Sequence, residues 1–303
     1  MISIIVNPAA GRGRMLPFVP FIKERLGAAG LECEVLTTTA PTDAQWFAKQ
    51  ACEAGAGAVI GVGGDGTLQE IVTGMRLAYP DGRIRAKLGV FPYGSGNDFA
   101  LTYGGGVKFK KANRIEAGIE NIIADRTREI DLIDVNCGEM TCLNIANVGL
   151  DARIVENAAA LKQKFGSRAY LAAAYKSISR HENVEMEIIA DGETLEGPFT
   201  LAAACNGRYY GGGLRISPGA DLSDGLITLC TVSGMSRRKA MLLFPSVLFG
   251  LHGKLKEVKY FPCEKVSFNV KGGETLCVDG NLYKRGGALS FSILPGALRA
   301  FTP

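Results

Sequence analysis

AVIGVGGDGTLQEIVTGM, residues 58–75, passes from an apolar β-branched run through a glycine turn into a helical repeat. Residues 58–62 have the near-continuous hydrophobicity of a strand buried on both faces, and the run stops at Gly63-Gly64-Asp65-Gly66. Thr67 and Glu70 have the spacing of a capping box, and Leu68, Ile71, Val72 and Met75 fall at i, i+3, i+4 and i+7 on one helical face. Strand, glycine turn and helix in that order aim the positive end of a helix at the turn, which suits a phosphate, and the glycines let it approach the main chain. Asp65 is the anomaly. An acid where an anion should bind calls for a metal ion riding on the phosphates or a hydroxyl that must lose a proton. A lone Gly-Gly-Asp-Gly reads equally well as a tight turn before a helix, so its meaning rests on the turns around it.

Working outward, residues 2–6 form a first buried strand that runs into Asn7-Pro8-Ala9-Ala10-Gly11-Arg12-Gly13-Arg14. Phe18, Phe21, Ile22 and Leu26 mark the next helix, closed by Gly30; residues 31–36 give the second strand, and Thr42 with Gln45 opens the second helix. Beyond the central stretch, residues 88–91 form a fourth strand ending in Pro92-Tyr93-Gly94-Ser95-Gly96-Asn97-Asp98. Repeated strand-then-helix units with right-handed crossovers build a parallel sheet, and ligands bind such sheets beyond the carboxyl ends of the strands. All three glycine-rich turns fall there.

After about residue 125 the texture changes to short strands between Gly, Asn, Asp and Pro turns: 129–135, 141–146, 185–190, 199–205, 226–232, 265–270, 275–278 and 289–294. Two helical stretches interrupt them, 152–179 with a break at Gly166, and 239–251, which Pro245 kinks or restarts. The expected fold is α/β, with an N-terminal parallel-sheet domain over 1–125 and a mainly antiparallel β domain over 126–303, whose last few residues return to the first domain.

With 303 residues, 47% of them hydrophobic, the chain can bury a substantial core. No uninterrupted apolar run is long enough to span a bilayer, and the start MISIIVNPAAG is too short and uncharged for a signal peptide, so a cytoplasmic protein is expected. Eight cysteines without a CxxC pair read as reduced, mostly buried thiols. His181 and His252, the only histidines, read as surface residues rather than catalysts. Residues 231–260 carry six Lys/Arg against one Glu, a basic patch of the kind that meets phosphates, nucleic acid or an anionic membrane. There is no GxxxxGK[ST], no GxGxxG after the first strand and no GxSxG, which excludes the familiar P-loop, dinucleotide and hydrolase-elbow readings.

Asn7-Pro8 with Gly11, Gly63-Gly64-Asp65-Gly66-Thr67, Pro92 with Gly94-Ser95-Gly96-Asn97-Asp98-Phe99-Ala100, residues 144–149, and Pro218 with Asp224-Gly225 together resemble the diacylglycerol kinase catalytic family, in its bacterial soluble lipid kinase form. The likeness runs through nearly the whole chain in order. GGDGT alone is shared with NAD kinases; the NPxxG start and GSGNDFA are more specific. The resemblance implies a phosphotransferase that moves the γ-phosphate of ATP to a lipid hydroxyl such as that of diacylglycerol, with Mg²⁺ as cofactor. It implies an ATP-binding first domain, a second domain that receives the lipid, and the reactants in the cleft between them. Asn7, Gly11, Gly63, Gly64, Gly66, Thr67 and Ser95 would line the nucleotide together with Glu70 and Asn97, and Arg12 or Arg14 would reach its phosphates. Asp65, Asp98 and Asp134 would form an acidic cluster near the transferred phosphate. A structural Mg²⁺ would sit on the loop 221–226, held by the Asp224 carboxylate and the main-chain carbonyls of Asp221 and Leu226; by itself that loop reads as a hairpin turn.

One position departs from the family. Its bacterial members end the β domain with Asp-Gly-Glu, the Glu being assigned as proton acceptor, whereas this chain has Asp279-Gly280-Asn281. An amide cannot take that proton, so the task would pass to Asp65 or Asp279, the acceptor would be unusual, or turnover would be weak. The alternatives to a lipid kinase are accordingly an NAD kinase-like enzyme acting on a soluble acceptor and a nucleotide-binding regulatory module. The resemblance further implies peripheral association with the membrane that carries the lipid, no nucleic acid partner, and scope for a homodimer. Residues 241–251, MLLFPSVLFGL, between Arg237-Arg238-Lys239 and Lys254-Leu255-Lys256, read either as a membrane-surface element or as a core helix with solvated ends. Lys162, Lys164 and Arg168 read as a solvated helix face rather than a substrate contact.

Overall fold

Alternating strands and helices place the first half of the chain in a parallel sheet, seen in a computed structural model that describes residues 1–79, 81–106, 113–165, 169–272, 274–285 and 287–302. The elements are β1 (Ile2–Val6), α1 (Val19–Ala28), β2 (Cys33–Thr37), α2 (Asp43–Glu53), β3 (Ala58–Gly63), α3 (Asp65–Leu77), β4 (Lys87–Pro92), α4 (Asp98–Tyr103) and α5 (Asn113–Ile123). Every residue of β1 and β3 is buried, as strands covered on both faces must be. β1 lies between β2 and β3, with Ile4 opposite both Val35 and Ile60, and β4 follows outside β3. Because the chain moves to one side of β1 for β2 and to the other for β3, strand order reverses there, and a crevice opens beyond the carboxyl ends of β1 and β3. Ile4, Ile22, Leu26, Ile60, Phe91 and Ile119 belong to the core on one face of the sheet.

The contacts divide the chain into two units, Met1–Leu132 with Pro295–Pro303, and Ile133–Leu294. β5 (Thr127–Val135) leads from the first to the second, and β15 (Ala288–Phe301) leads back, its Ala300 pairing in parallel with Leu88 of β4. The second unit holds β6 (Met140–Cys142), β7 (Ile145–Gly149), α6 (Leu150–Phe165), α7 (Ala169–Ser179), β8 (Val184–Ala190), β9 (Glu193–Cys205), β10 (Ile227–Ser233), α8 (Arg237–Leu243), α9 (Pro245–Leu248), β11 (Val258–Cys263), β12 (Lys265–Val270), β13 (Glu274–Val278) and β14 (Asn281–Arg285). Its ladders are antiparallel, with the long β9 pairing β8, β7 and β10. Phe268 and Phe291, ring centroids 4.8 Å apart, stand in its main core. The architecture is therefore the expected one, a parallel α/β sheet and a mainly antiparallel β assembly.

Local readings differ from it in three ways. First, helix starts: α3 begins at Asp65, with Gly64 as an extended N-cap, so Thr67 and Glu70 do not form a capping box. The Glu70 carboxylate instead accepts from the N–H groups of Thr42 and Ala44 at the start of α2, bonds that oppose the upward push of burial on its pKa. Thr42 makes no side-chain cap for α2, and the Asp43 carboxylate turns back to the preceding loop, accepting from Thr39 and Ala40. Second, the single strand expected over 141–146 is two, β6 and β7, broken at Leu143 and Asn144. Third, β11 and β14 were not anticipated; β11 pairs only along β10, and β14 is the far arm of a hairpin. Pro245 restarts the helix as expected, whereas Gly166, Arg168 and the side chains of Lys162 and Lys164 lie outside the described residues.

Gly74 in α3 faces α2 so closely that a Cβ there would stand 2.0 Å from the Gln45 carbonyl oxygen. Helix propensity alone favours Gly74→Ala by about 1 kcal/mol. Overpacking against fixed backbone costs about 1–3 kcal/mol, so the substitution is expected to lower Tm by a few degrees. A thermal melt at or above the parent Tm would show that α2 and α3 can part without cost.

Candidate functional site

Three turns meet at the carboxyl ends of β1, β3 and β4, and main-chain hydrogen bonds fix their spacing. Asn7 N–H donates to Val62 O at 3.0 Å, and Tyr93 N–H donates to Gly63 O at 2.7 Å. Asn7 Nδ2 then donates to Thr67 Oγ1 at 2.9 Å, which ties the first turn to the first turn of α3. Gly64 and Gly94 approach so closely that a Cβ on Gly94 would lie 2.5 Å from the Gly64 Cα, leaving room for no side chain at either.

The Asp65 carboxylate binds the third turn. It accepts from Asn97 N–H at 2.7 Å and Phe99 N–H at 3.0 Å. Burial pushes its carboxyl above the usual range, and the N–H groups of Phe99, Asp98 and Asn97 pull against that. Asn97 sits in the left-handed region at φ 60°, with Oδ1 accepting from Gly94 N–H at 2.6 Å, which closes the loop on itself. Asp98, buried, starts α4; a Cβ on Gly96 would meet Asp98 Oδ2 at 2.7 Å and Asp65 Oδ2 at 3.0 Å, so the two carboxylates border the same glycine. Gly11 follows β1 at φ 56°, the side chains of Arg12 and Arg14 are exposed, and Ser95 is exposed at the tip of the third turn. Asn7, Gly63, Gly64, Asp65, Gly66, Thr67, Asn97 and Asp98 thus share one end of one sheet. Helix N-terminus, glycine backbone and exposed guanidinium groups make an anion cradle. Glu70 belongs to the start of α2 rather than to the cradle.

The remaining site residues lie in the second unit. Asp134 is buried in β5 opposite Thr141. Asp279 and Gly280, at φ 47° and 89°, form the two-residue turn joining β13 to β14, a type I′ geometry that Asp-Gly favours. The same Asp279 carboxylate accepts from the N–H groups of Leu143, Asn144 and Ile145 at 2.7, 3.0 and 2.9 Å, and so fills the break between β6 and β7. Asn281 is the first residue of β14, paired with Val278. On the loop 221–226, Asp221 Oδ1 accepts from Ser223 N–H and Oγ, and Asp224 Oδ1 accepts from Leu226 N–H. No cluster of three or more His, Cys, Asp or Glu suited to a metal occurs among the described residues. The oxygen-only donors of the loop nonetheless fit a hydrated Mg²⁺, which takes few protein ligands.

No sequence pattern points to a cavity of about 80 Å³ in the second unit, lined mainly by apolar side chains such as Ile154, Ile178, Leu201, Phe244, Val247 and Leu255. Its few polar members include Asp151, Thr200 and His252. These positions are spread over a hundred residues of chain, so no linear motif could have assembled them. His181 and His252 are buried, not at the surface: His181 Nε2 meets Asn183 Oδ1 at 2.9 Å, and His252 Nε2 meets Ile216 O at 2.9 Å and the Tyr260 hydroxyl at 2.8 Å. Burial lowers the pKa of both.

The family profile described as the diacylglycerol kinase catalytic domain matches residues 1–135, and that described as the YegS C-terminal NAD kinase beta sandwich-like domain matches residues 144–302. A diacylglycerol kinase of Mycobacterium tuberculosis is 29% identical, over 100% of this chain and 95% of its own. A Xanthomonas campestris protein named probable lipid kinase YegS-like is 30% identical, over 76% of this chain and 73% of its own. A solved Bacillus anthracis structure, described as a candidate diacylglycerol kinase, superposes with a TM-score of 0.79 at 22% identity, over 100% of this chain and 97% of that one, which establishes the shared fold.

The three bonds to Asp279 give a stability prediction. Asp279→Asn sets an amide NH₂ against main-chain N–H donors, and leaving a buried donor unpaired costs about 1–3 kcal/mol. Chemical denaturation should show a loss of that size; an unchanged midpoint would mean that the 143–145 segment holds itself.

Proposed function

The chain belongs to the diacylglycerol kinase catalytic family, in its YegS-like lipid kinase branch, and from that premise we propose that it transfers the γ-phosphate of ATP to the hydroxyl of a lipid acceptor such as diacylglycerol. The apolar cavity of the second unit carries the choice of acceptor: a soluble acceptor such as NAD needs polar walls for its ribose and phosphates, whereas acyl chains need a lining of this kind.

In this reading the phosphates of ATP rest on the first turn of α3 and the main chain of Gly63 and Gly64, with Arg12 and Arg14 supplying charge. The Asp65 carboxylate, engaged by two N–H groups, is a positioning group that holds the 94–98 turn against the cradle. Asp98, beside it, is the carboxylate for the cation that accompanies ATP. Mg²⁺ when bound neutralises phosphate charge as the acceptor oxygen bonds to the γ-phosphorus and the bond to the β-phosphate oxygen breaks. Phosphoryl transfer of this kind depends on positioning and charge more than on a strong base. Asn281 in the place of the family's Glu then orients the acceptor hydroxyl through its amide, and the proton leaves to solvent or to the phosphoryl oxygens. Asp279 takes no part in that step, because its oxygens hold the 143–145 main chain.

A second, structural Mg²⁺ would be held on the loop 221–226 by the Asp224 carboxylate and the carbonyls of Asp221 and Leu226. The proposed place of work is the cytoplasm, where the enzyme meets its acceptor at the membrane surface; no helix among the described residues is long and apolar enough to cross a membrane.

The decisive assay incubates the protein with labelled ATP, Mg²⁺ and a total lipid extract, and in parallel with NAD. Label should enter a lipid and not NAD, and Asp65→Asn, which leaves Asn97 or Phe99 N–H without its acceptor, should lower kcat on the order of 10²-fold or more. Label in NAD alone would overturn the lipid reading, and near-normal kcat would remove Asp65 from the site.

The structural cation makes a separate prediction. In the absence of ATP, Mg²⁺ at about a hundredfold its Kd should stabilise the protein by about 2.7 kcal/mol. That gain should raise Tm for the parent and vanish for Asp224→Ala; a parent Tm indifferent to Mg²⁺ would leave the loop a plain turn.

A further inference from the structure

The basic apolar stretch resolves into two faces of one short helix pair. Ala240, Leu243, Phe244 and Val247 of α8 and α9 line the cavity. Away from the cavity, Leu242 of α8 is 78% exposed, and Phe249 and Leu251, just past the end of α9, are 71% and 52% exposed. Three large apolar side chains left exposed within ten residues of chain are the mark of an interaction surface.

Charge says what covers it. Residues 236–256 contain five Lys/Arg and no acid. Two of the five are engaged inside the unit: Lys239 with Glu257 at 2.5 Å, and Arg237 with His181 O at 2.7 Å and Glu182 at 3.3 Å. Arg238, Lys254 and Lys256 are exposed and form no ion pair among the described residues. Tyr175 of α7, 46% exposed, sets its ring edge-on to Phe244 at 5.7 Å, adding an amphipathic ring with one end in the core and the other in solvent. Apolar side chains projecting through a cationic rim, with a tyrosine at the border, are the features of an element that lies in the headgroup layer of an anionic bilayer.

We infer that the outer face of α8, α9 and the segment that follows them to Lys256, with Leu242, Phe249 and Leu251 inserted and Arg238, Lys254 and Lys256 on the headgroups, is the surface by which this protein seats on an anionic membrane. The helix pair is then the wall between bilayer and cavity, and a lipid need cross only that wall to reach the apolar pocket. The identity of the cavity's lipid rests on the kinase reading; the docking does not.

The test is co-sedimentation with vesicles of equal parts phosphatidylglycerol and phosphatidylcholine, and with phosphatidylcholine alone, at low and raised salt. The parent should bind the anionic vesicles, release them as salt rises, and ignore the neutral ones. Arg238→Glu with Lys254→Glu and Lys256→Glu should weaken partitioning about 10²-fold or more, because each cation at such a surface contributes roughly fivefold. Leu242→Ser with Phe249→Ser and Leu251→Ser should weaken it at least tenfold while keeping the salt dependence. Lys23→Glu with Arg25→Glu, on α1, reverses charge away from the proposed face and should bind as the parent does. All these side chains are on the surface, so Tm should not move. A short-chain diacylglycerol dispersed as monomers reads the kinase separately: both triple variants should phosphorylate it as the parent does, and failure of the parent to do so would count against the kinase reading alone. Parent-like vesicle binding by either triple variant would overturn the docking face. Loss of a dimer in sedimentation velocity, with vesicle binding intact, would overturn it in favour of self-association.

Discussion

The two hydrogen bonds that Asp65 accepts, from main-chain N–H groups 32 and 34 residues further along, are the constraint on which the cradle of the first unit depends. A sheet aligns its strands but leaves the loops beyond them undetermined. These bonds clamp the turn after β4 onto the first turn of α3, and the Gly64 and Gly94 backbones can touch only because neither carries a side chain. The clamp requires Asn97 in the left-handed region, at φ 60°, a conformation that asparagine tolerates better than most residues. The acid that looked out of place in an anion site is thus largely occupied in building the site.

The second unit uses the same device. Asp279 stands in a tight hairpin turn at φ 47° and binds three consecutive N–H groups from a chain segment 134 to 136 residues earlier. Those N–H groups belong to the point where β6 gives way to β7, so a carboxylate stands in for a missing strand partner. A carboxylate occupied in this way is a poor proton acceptor, and the amide of Asn281 two residues on cannot be one.

How much of this was legible follows from the range of the interactions involved. The parallel sheet and its three turns could be read because each strand, glycine run and helix face is written in consecutive residues. The starts of α2 and α3 could not: Thr42 and Thr67 have capping spacing, but the Ala44 N–H at the start of α2 goes to Glu70, from α3, and α3 begins two residues before Thr67. The break at 143–144 depends on a residue far down the chain, and β14 depends on an Asp-Gly turn that was read only for its chemistry. The cavity draws on α6, α7, β9, β10 and α8, a set that no local pattern announces. Of the cations counted in the basic stretch, only the folded chain tells Lys239, held by Glu257, from Lys254, left at the surface.

The return of β15 to the first sheet bears on how the protein is made. Phe301 belongs to the core of the first unit, Tyr103 donates its hydroxyl proton to Ala300 O, and Asn121 Nδ2 and Arg126 O bond the main chain of Thr302. Ribosomes release sequence from the amino end, so the earlier unit waits for residues translated after the whole of the later one. During synthesis the edge of β4 stands uncovered for more than a hundred and fifty codons, and β4 is the edge at which a chaperone, or a neighbouring nascent chain, would find a strand to pair with.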